Sequence, residues 1–340
     1  MSTRPPREVR IPEPGRVEVV PAVVRDPGPG EALVRVAWAG ICGSDRDVLE
    51  GTRPAPFVRY PVVPGHEWSG TVEAVGVGVD EALVGRPVVG EGFRSCRTCR
   101  ACRRGDTTLC EAAYEETGFT QPGAWSDYLT LPAHLLHVLP EDADLRAAAL
   151  LEPAACVAGA CQSARVEPGD RVAVVGAGTL GLLAVQLLRA AGASEVVVVD
   201  PKGKREELAL RCGAASLVHT DADVALLEPF DVVVEAAGAP GTARKATQLV
   251  RRGGRDVLTG IPVDPGDTID VQHLVTRRVE LHTVFGAPTS AWLHATRAFG
   301  AGLLDPAPLV SEVFALDDAR SALRRLGEPD ANVVKVLLCP

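Results

Sequence analysis

Four cysteines within fifteen residues are the feature of the chain that points most directly to chemistry. The stretch 95–110 reads SCRTCRACRRGDTTLC, and its thiols belong to Cys96, Cys99, Cys102 and Cys110. Four thiolates at this spacing suit a tetrahedral zinc ion and leave no open coordination position for a reactant. The spacing therefore predicts a structural zinc site, with a disulfide framework or a nucleic-acid-binding zinc knuckle as the alternatives.

Both alternatives to structural zinc meet objections in the rest of the chain. The N-terminus, MSTRPPREVR, has no apolar segment behind its charges, so we expect a cytoplasmic protein in which thiols stay reduced. Arginines surround the cluster, but no aromatic residue interleaves them for base stacking. The net charge of −9 gives no global attraction to a polyanion. We expect no nucleic-acid partner and, because the apolar runs are core-sized, no membrane span.

A second set of metal-binding side chains is split between distant motifs. GICGSD places Cys42 at the end of a predicted strand, PGHEWSG places His66 and Glu67 after a Pro-Gly turn, and LEP offers Glu152. One thiolate, one imidazole and carboxylates would leave a position for water or substrate, as a catalytic zinc requires. The residues alone leave open that Cys42 is a core cysteine and that His66 and Glu67 are a surface pair.

A glycine-rich turn in the second half of the chain predicts a dinucleotide site. GAGTLG puts Gly176, Gly178 and Gly181 between a predicted strand, RVAVV, and a predicted helix. Asp200 ends the next strand, nineteen residues after Gly181, where a carboxylate would accept the ribose hydroxyls and repel a 2′-phosphate. We therefore expect NAD as the cofactor; the alternative is a glycine-rich turn that binds no nucleotide.

The elements that would position these residues change character along the chain. Up to about residue 150, short apolar runs bounded by Gly and Pro predict a β-rich region. From about residue 154, strands such as EVVVVD alternate with helices such as TLGLLAVQLLRAAGA, which predicts an α/β unit with a doubly wound parallel sheet. Beyond about 286, AWLHATRAFGAGLL and DDARSALRRLG predict helices and VVKVLL a closing strand.

Together these motifs resemble the zinc-dependent medium-chain dehydrogenase/reductase family over essentially the whole chain. GICGSD, PVVPGHEWSG, the four cysteines, LEP, GAGTLG and KVLL are similar in order and spacing to the sorbitol, threonine and glucose dehydrogenase branches. LCEAAYEETGFTQPGAWSDYLTLP is similar to aminocyclitol dehydrogenases of antibiotic pathways. The resemblance implies a GroES-like catalytic domain over 1–153 with a zinc lobe at about 94–111, a Rossmann domain over 154–286, and a segment, 287–340, that returns to the catalytic domain.

The resemblance also implies roles for the residues around the catalytic zinc. Cys42, His66 and Glu67 would be zinc ligands, with Glu152 binding directly or through water. Ser44 matches the hydroxyl that contacts the substrate alcohol, and Asp45 the acid that orients the zinc-bound imidazole. Asp47 stands where many relatives carry a relay histidine, and so would be at the outer end of the proton path.

On the cofactor side, Leu180 matches the residue behind the nicotinamide and Arg205 a basic residue near the adenosine ribose. The family implies two zinc ions per chain, one catalytic and one structural, and a homodimer or homotetramer. We therefore predict a hydride transfer between NAD and a secondary alcohol of a polyol, cyclitol, aminocyclitol or sugar. A threonine or simple alcohol dehydrogenase is one alternative, and a nucleotide-sensing or nucleic-acid-binding protein without the chemistry is another.

Overall fold

The computed structural model describes residues 4–262, 266–326, 328 and 332–340. The chain divides into two compact units. Unit 1 consists of Met1–Glu152 together with Pro306–Pro340, and unit 2 of Pro153–Asp305.

The strands and helices follow in chain order. The strands are β1 (Arg7–Arg10), β2 (Glu18–Pro21), β3 (Glu31–Ile41), β4 (Trp68–Val75), β5 (Pro87–Gly90), β6 (Tyr128–Pro132), β7 (Leu136–Val138), β8 (Arg171–Val175), β9 (Glu195–Val199), β10 (Ser216–Val218), β11 (Phe230–Glu235), β12 (Val250–Leu258), β13 (Glu280–Thr283), β14 (Val310–Ala315) and β15 (Lys335–Cys339). The helices are α1 (Gly43–Glu50), α2 (Arg100–Arg103), α3 (Leu145–Ala148), α4 (Leu151–Ala164), α5 (Thr179–Ala190), α6 (Glu206–Arg211), α7 (Asp221–Val224), α8 (Thr242–Leu249), α9 (Val271–Arg277), α10 (Thr289–Gly300) and α11 (Ala319–Leu326). None of the described helices is long and apolar enough to cross a bilayer.

Unit 1 is built around a seven-stranded sheet in which the long strand β3 is central. The strand order is β14-β15-β3-β4-β5-β7, and β6 also pairs with β3. The pairing of β3 with β4 is antiparallel, with Ala39 opposite Trp68. The carboxyl end of β3 therefore lies beside the amino end of β4, which brings the segment after Ile41 close to the segment before Trp68.

The C-terminal strand β15 completes this sheet. It pairs antiparallel with β3, where Val336 lies opposite Ile41, and parallel with β14. Apart from Lys335 the strand is apolar, and four of its five residues are buried, as is usual for a strand with neighbours on both sides. Its first residue, Lys335, consequently enters the interior of unit 1 at the end of β3.

Unit 2 contains the parallel sheet that the alternating pattern predicts. Its strand order is β10-β9-β8-β11-β12-β13, and every pairing within it is parallel. Numbered within the unit, this is the 3-2-1-4-5-6 order of the Rossmann fold. The predicted α/β class, a β-rich domain plus a doubly wound parallel sheet, is confirmed.

Unit 2 extends to Asp305, whereas the sequence predicts that the segment returning to the first domain begins at residue 287. Helix α10 buries Ala291 and Trp292, and Ala291 lies beside Gly159 of the same unit. The apolar face of α10 therefore belongs to the core of unit 2, and the return to the first unit starts at Pro306.

One carboxyl group is sealed inside the sheet of unit 2. Asp256 on β12 is fully buried, and neither of its oxygens has a hydrogen-bond partner among the described residues. Burial, with a smaller contribution from the charge of Glu235, raises the pKa of Asp256 to about 8. This side chain is therefore neutral at neutral pH.

Candidate active site

The candidate metal ligands of the split motifs meet at one end of the central sheet of unit 1. Cys42 follows β3, whereas His66 and Glu67 immediately precede β4. One ligand atom from each of the three lies within 4.8 Å of the others. The antiparallel pairing of β3 with β4 is thus what joins two motifs that lie more than twenty residues apart.

Two glycines make room for this cluster. Gly65 has a positive φ of 98°, and a Cβ there would meet the Trp125 side chain. Gly40, near the end of β3, has no side chain to overlap the carboxylate of Glu67. The Pro-Gly turn and the glycine in the strand are therefore both needed to bring His66 and Glu67 against Cys42.

Asp45 lies beside the imidazole of His66. The carboxylate is fully buried, and its Oδ2 accepts a hydrogen bond of 2.8 Å from the backbone N–H of Cys42. Its Oδ1 lies 3.5 Å from Nδ1 of His66, which leaves Nε2 of that ring for a metal ion. Although burial lowers the pKa of His66, the charge of Asp45 and hydrogen bonds to Asp45 and Cys42 raise it well above its usual value.

Lys335 forms an ion pair with Glu67 that the sequence analysis missed. Its Nζ lies 2.5 Å from Oε2 and 2.8 Å from Oε1 of Glu67, and it donates to the carbonyl oxygen of Ile41 at 3.1 Å. Both side chains are almost fully buried. Burial lowers the pKa of Lys335, but the charges of Glu67 and Cys42 raise it above its usual value. The sequence signal for this ion pair is a lysine at the start of the apolar run KVLL, where a buried charge would need a partner.

The other sequence-predicted residues of this site lie around the cluster. Glu152 stands in the first turn of α4 and is outside the three-residue group, although its charge acts on Lys335. Ser44 and Asp47 are three residues apart on α1 and so share one face of the helix. Ser44 is half-buried, whereas Asp47 is exposed and its Oδ1 accepts a hydrogen bond from the Thr52 hydroxyl at 3.4 Å.

The aromatic ring of Phe119 covers the imidazole of His66. The two ring centres lie 4.7 Å apart, and Phe119 is buried. The guanidinium of Arg53 also lies over the Phe119 ring, with its Cζ 3.7 Å from the ring centre. No motif in the sequence connects Arg53 with the residues that it contacts, so the sequence carries no signal for it.

The four cysteines of the lobe form a separate cluster. Their sulfur atoms all lie within 4.8 Å of one another, and those of Cys96 and Cys102 are 3.9 Å apart. Tetrahedral zinc with bonds of about 2.3 Å would hold its sulfur ligands about 3.8 Å apart. Hydrogen bonds from Thr98 lower the pKa of Cys96 to about 5, whereas burial raises the pKa of Cys102 to about 11. The donor set and its spacing fit zinc.

The glycine-rich turn of unit 2 forms a cradle at the start of α5. Gly176 has a φ of 107°, and a Cβ on Gly181 would overlap the carbonyl oxygen of Gly176. A Cβ on Gly178, which caps α5, would meet no atom within 4 Å. The first and third glycines are therefore required by local packing, while the second leaves open space at a helix N-terminus, where a phosphate binds favourably.

Asp200 lies against this turn. Its Oδ2 accepts a hydrogen bond of 2.6 Å from the N–H of Ala177, and its Oδ1 one of 2.7 Å from the N–H of Lys202. Arg205 donates to the carbonyl oxygen of Ala177 at 3.0 Å, so acid and base flank one turn. Leu180 is half-buried in the first turn of α5. These residues fit a dinucleotide.

Comparisons with known proteins agree with this geometry. The model of the alcohol dehydrogenase GroES-like domain matches residues 28–141, and that of the zinc-binding dehydrogenases matches residues 179–299. L-threonine 3-dehydrogenase of Saccharopolyspora erythraea is 33% identical over 85% of this chain and 86% of its own. Sorbitol dehydrogenase of Bacillus subtilis is 28% identical over 96% of this chain and 94% of its own.

A solved structure with a bound nucleotide is similar over almost the full length. It is that of a protein described as a zinc-binding dehydrogenase, from Sinorhizobium meliloti 1021, bound to NADP. The TM-score is 0.89 and the identity 30%, over 98% of this chain and 99% of the other. The chain therefore belongs to the zinc-dependent medium-chain dehydrogenase family and is an NAD(P)-dependent zinc alcohol dehydrogenase.

Proposed function

We propose that this dehydrogenase prefers NAD and acts on a secondary alcohol of a polyol, cyclitol, aminocyclitol such as 2-deoxy-scyllo-inosamine, or sugar. The observation that carries the proposed active site is the convergence of Cys42, His66 and Glu67 within 4.8 Å, with Asp45 behind the imidazole. The similarity to a sorbitol dehydrogenase supports a polyol. A cytoplasmic location and a homodimeric or homotetrameric assembly stay predictions from the sequence.

We assign Cys42 and His66 to the catalytic zinc as direct ligands. Glu67 has the right position but already pairs with Lys335 through both oxygens. Glu152 lies farther out, in the first turn of α4. We therefore propose that one of these two carboxylates completes the ligand set, directly or through water. Cys96, Cys99, Cys102 and Cys110 hold the structural zinc.

The residues of unit 1 divide the proton chemistry between them. When bound, zinc would supply Lewis-acid stabilisation of negative charge on the substrate oxygen, and the nicotinamide would supply the hydride chemistry. Ser44 takes the hydroxyl proton of the substrate, and Asp47, on the same face of α1, passes it towards solvent. Asp45, beside Nδ1 of His66, would favour the tautomer that leaves Nε2 for the metal.

The residues of unit 2 bind and orient the dinucleotide. The backbone at Gly178 and the amino end of α5 receive the pyrophosphate, while Gly176 and Gly181 allow the tight turn. Asp200 accepts the hydroxyls of the adenosine ribose, and Arg205 lies beside it. Leu180, in the first turn of α5, would pack behind the nicotinamide.

A threonine dehydrogenase is the second candidate, because L-threonine 3-dehydrogenase of Saccharopolyspora erythraea is 33% identical to this chain. Sorbitol, an inositol, 2-deoxy-scyllo-inosamine, L-threonine and butan-2-ol, each with NAD, separate the candidates through the rate of NADH formation. We expect the highest kcat/KM with a polyhydroxylated substrate. A highest value with L-threonine would replace our proposal by the second candidate, and no turnover of any alcohol by zinc-loaded protein would contradict both.

A further inference from the structure

A buried ion pair lies beside the metal-binding cluster of unit 1 and has no part in holding the metal. Nη2 of Arg53 donates to the Tyr114 hydroxyl at 2.9 Å and to Oε2 of Glu116 at 3.3 Å. The Tyr114 hydroxyl donates to the same Oε2. The side chains of Arg53 and Glu116 are only 15% and 7% exposed. This pair is thus held in a largely desolvated setting.

The pair is also rigid. Nε of Arg53 donates to the carbonyl oxygen of Phe57 at 2.9 Å, and the Tyr114 ring packs edge-on against Phe57 with centres 4.9 Å apart. The backbone N–H of Glu116 donates to the Thr120 hydroxyl at 2.8 Å. A fixed ion pair presents its remaining hydrogen-bonding atoms in a defined direction.

Two of those atoms are free to bind a ligand. Among the described residues, Nη1 of Arg53 and Oε1 of Glu116 have no hydrogen-bond partner. Neither atom is one of the fully buried polar atoms that lack a hydrogen-bond partner, so each of the two is accessible to solvent. A donor and an acceptor on one rigid pair match a hydroxyl group, which accepts one hydrogen bond and donates another.

The pair of Arg53 and Glu116 lies close to the metal-binding cluster, where the substrate would react. Phe119 contacts both the Arg53 guanidinium and the His66 imidazole. Burial lowers the pKa of Arg53, and the nearby charges of Glu116, Asp45, Asp47 and Cys42 offset this only in part. The pair therefore lies close enough to Cys42 and His66 to meet another part of a molecule whose reacting oxygen lies there.

We propose that Arg53 and Glu116 recognise a hydroxyl of the substrate beyond the reacting carbon, with Nη1 donating to the hydroxyl oxygen and Oε1 accepting its proton. This inference rests on the proposed function and narrows it to substrates that present a neutral hydroxylated end. A carboxylate or phosphate placed there would face Glu116, and an ammonium group would face Arg53.

The test compares substrates that do and do not carry the additional hydroxyls. In Glu116→Gln and in Arg53→Gln we expect kcat/KM for the preferred polyol or cyclitol to fall by about 10-fold or more, mainly through KM. With butan-2-ol we expect a change of less than about 3-fold, because that alcohol does not reach the pair. Calorimetric affinity of the zinc-loaded protein for the polyol should fall in parallel.

Two further variants keep the test decisive. Arg35→Gln removes the exposed ion pair with Glu73 in the same unit. This control variant should leave kcat/KM unchanged for both the polyol and butan-2-ol. If the Arg53 or Glu116 variant loses zinc or unfolds, Tyr114→Phe removes a hydroxyl while its ring still packs against Phe57, and a selective loss for the polyol is again expected.

The other possible results would contradict either the recognition role alone or the proposed function as well. Equal losses for the polyol and butan-2-ol in folded, zinc-loaded variants would overturn the recognition role and leave the proposed function intact. A polyol kcat/KM that is unchanged in the Arg53, Glu116 and Tyr114 variants would do the same. No oxidation of any alcohol by the zinc-loaded wild type would overturn the proposed function and this inference together.

Discussion

Nζ of Lys335 lies 2.5 Å from Oε2 of Glu67, although 268 residues separate the two in sequence. The carboxylate is thereby neutralised by an ammonium group that the last strand carries into the interior. Since both oxygens of Glu67 contact Nζ, zinc ligation by Glu67 would have to weaken this pair.

Lys335→Met should destabilise the protein strongly. It leaves the buried carboxylate of Glu67 without a counter-charge, which typically costs about 3–5 kcal/mol in the free energy of unfolding. Denaturant unfolding at neutral pH measures the loss. The double variant Lys335→Met with Glu67→Gln should recover a large part of it, and a single-variant loss below about 1 kcal/mol would contradict the expectation.

The two zinc ions should be separable by mutation. Cys42→Ala should abolish turnover and remove one zinc ion per chain while the fold persists, because unit 1 keeps its seven-stranded sheet. Cys99→Ala should remove the other ion and lower thermal stability, since the lobe around α2 has no buried apolar residues of its own. Elemental analysis of both variants decides the matter. One zinc ion per wild-type chain under metal-replete conditions would be inconsistent with two sites.

Ser44→Ala should lower kcat by about 10²–10⁴-fold with little effect on cofactor affinity, because the hydroxyl handles the reacting proton. Asp47→Asn, on the exposed part of the same helix face, should have a smaller effect that is visible mainly in the pH profile of kcat. Steady-state kinetics with each variant provide the comparison. If both variants lose equal activity, the order of the proton path is wrong.

Asp200 should make NAD the preferred cofactor. Its two oxygens are fixed by the N–H groups of Ala177 and Lys202, so the carboxylate cannot turn away from a 2′-phosphate. A repulsion of about 2 kcal/mol, half the ~4 kcal/mol of a charge pair at ~4 Å, corresponds to roughly thirtyfold. We expect kcat/KM to be at least about tenfold higher with NAD than with NADP, and Asp200→Ala to reduce the gap.

The similarity to a structure with bound NADP makes that comparison informative. Equal wild-type efficiency with the two cofactors would mean that the basic side chains beyond β9, among them Arg205, decide the choice instead of Asp200.

Asp256 should make stability fall as the pH rises. Burial raises its pKa from the usual 3.8 to about 8, so the folded state holds a proton that the unfolded chain releases. Its contribution is complete below about pH 4 and declines by up to about 1.4 kcal/mol per pH unit until about pH 8. Unfolding of Asp256→Asn across this range should show a flatter pH profile than the wild type.

Asp231 on β11 is a matched control for Asp256. Burial raises its pKa, but hydrogen bonds from Arg171 and Arg251 outweigh this and lower the pKa below its usual value. Its stabilising contribution is therefore present above the unfolded pKa and is lost as the pH falls. Asp231→Asn should alter the profile only in acid, and a flatter profile between pH 4 and 8 in this variant would contradict the assignment to Asp256.

The sequence was most informative where a local pattern determines the structure. The strand RVAVV, the glycines of GAGTLG and the following helix could be predicted because the turn and the alternating hydrophobic pattern lie within one short stretch. The helix α4, which contains LEP, and the edge strand β13 carry weaker local signals and were not predicted. Strand β13 has partly exposed residues and a short alternating run, which does not stand out from a loop.

The candidate site was predictable only in part for a related reason. Cys42, His66 and Glu67 have side chains whose chemistry singles them out, and the spacing of the four cysteines singles out the lobe. Lys335 and Arg53 matter because of what they contact across the fold, and the pairing of β15 with β3 is not encoded in any short stretch. Tertiary pairing, rather than residue type, assigns them to the site.

The position of β15 between β14 and β3 has a consequence for how the protein is made. Glu67 and Lys335 lie 268 positions apart, so a chain made from its amino end contains Cys42, His66 and Glu67 long before it contains β15. Strand β15 can join β3 only after Lys335–Cys339 have been made and have left the ribosome. Until then the Glu67 carboxylate has no ammonium partner from Lys335, so this ion pair forms late in synthesis.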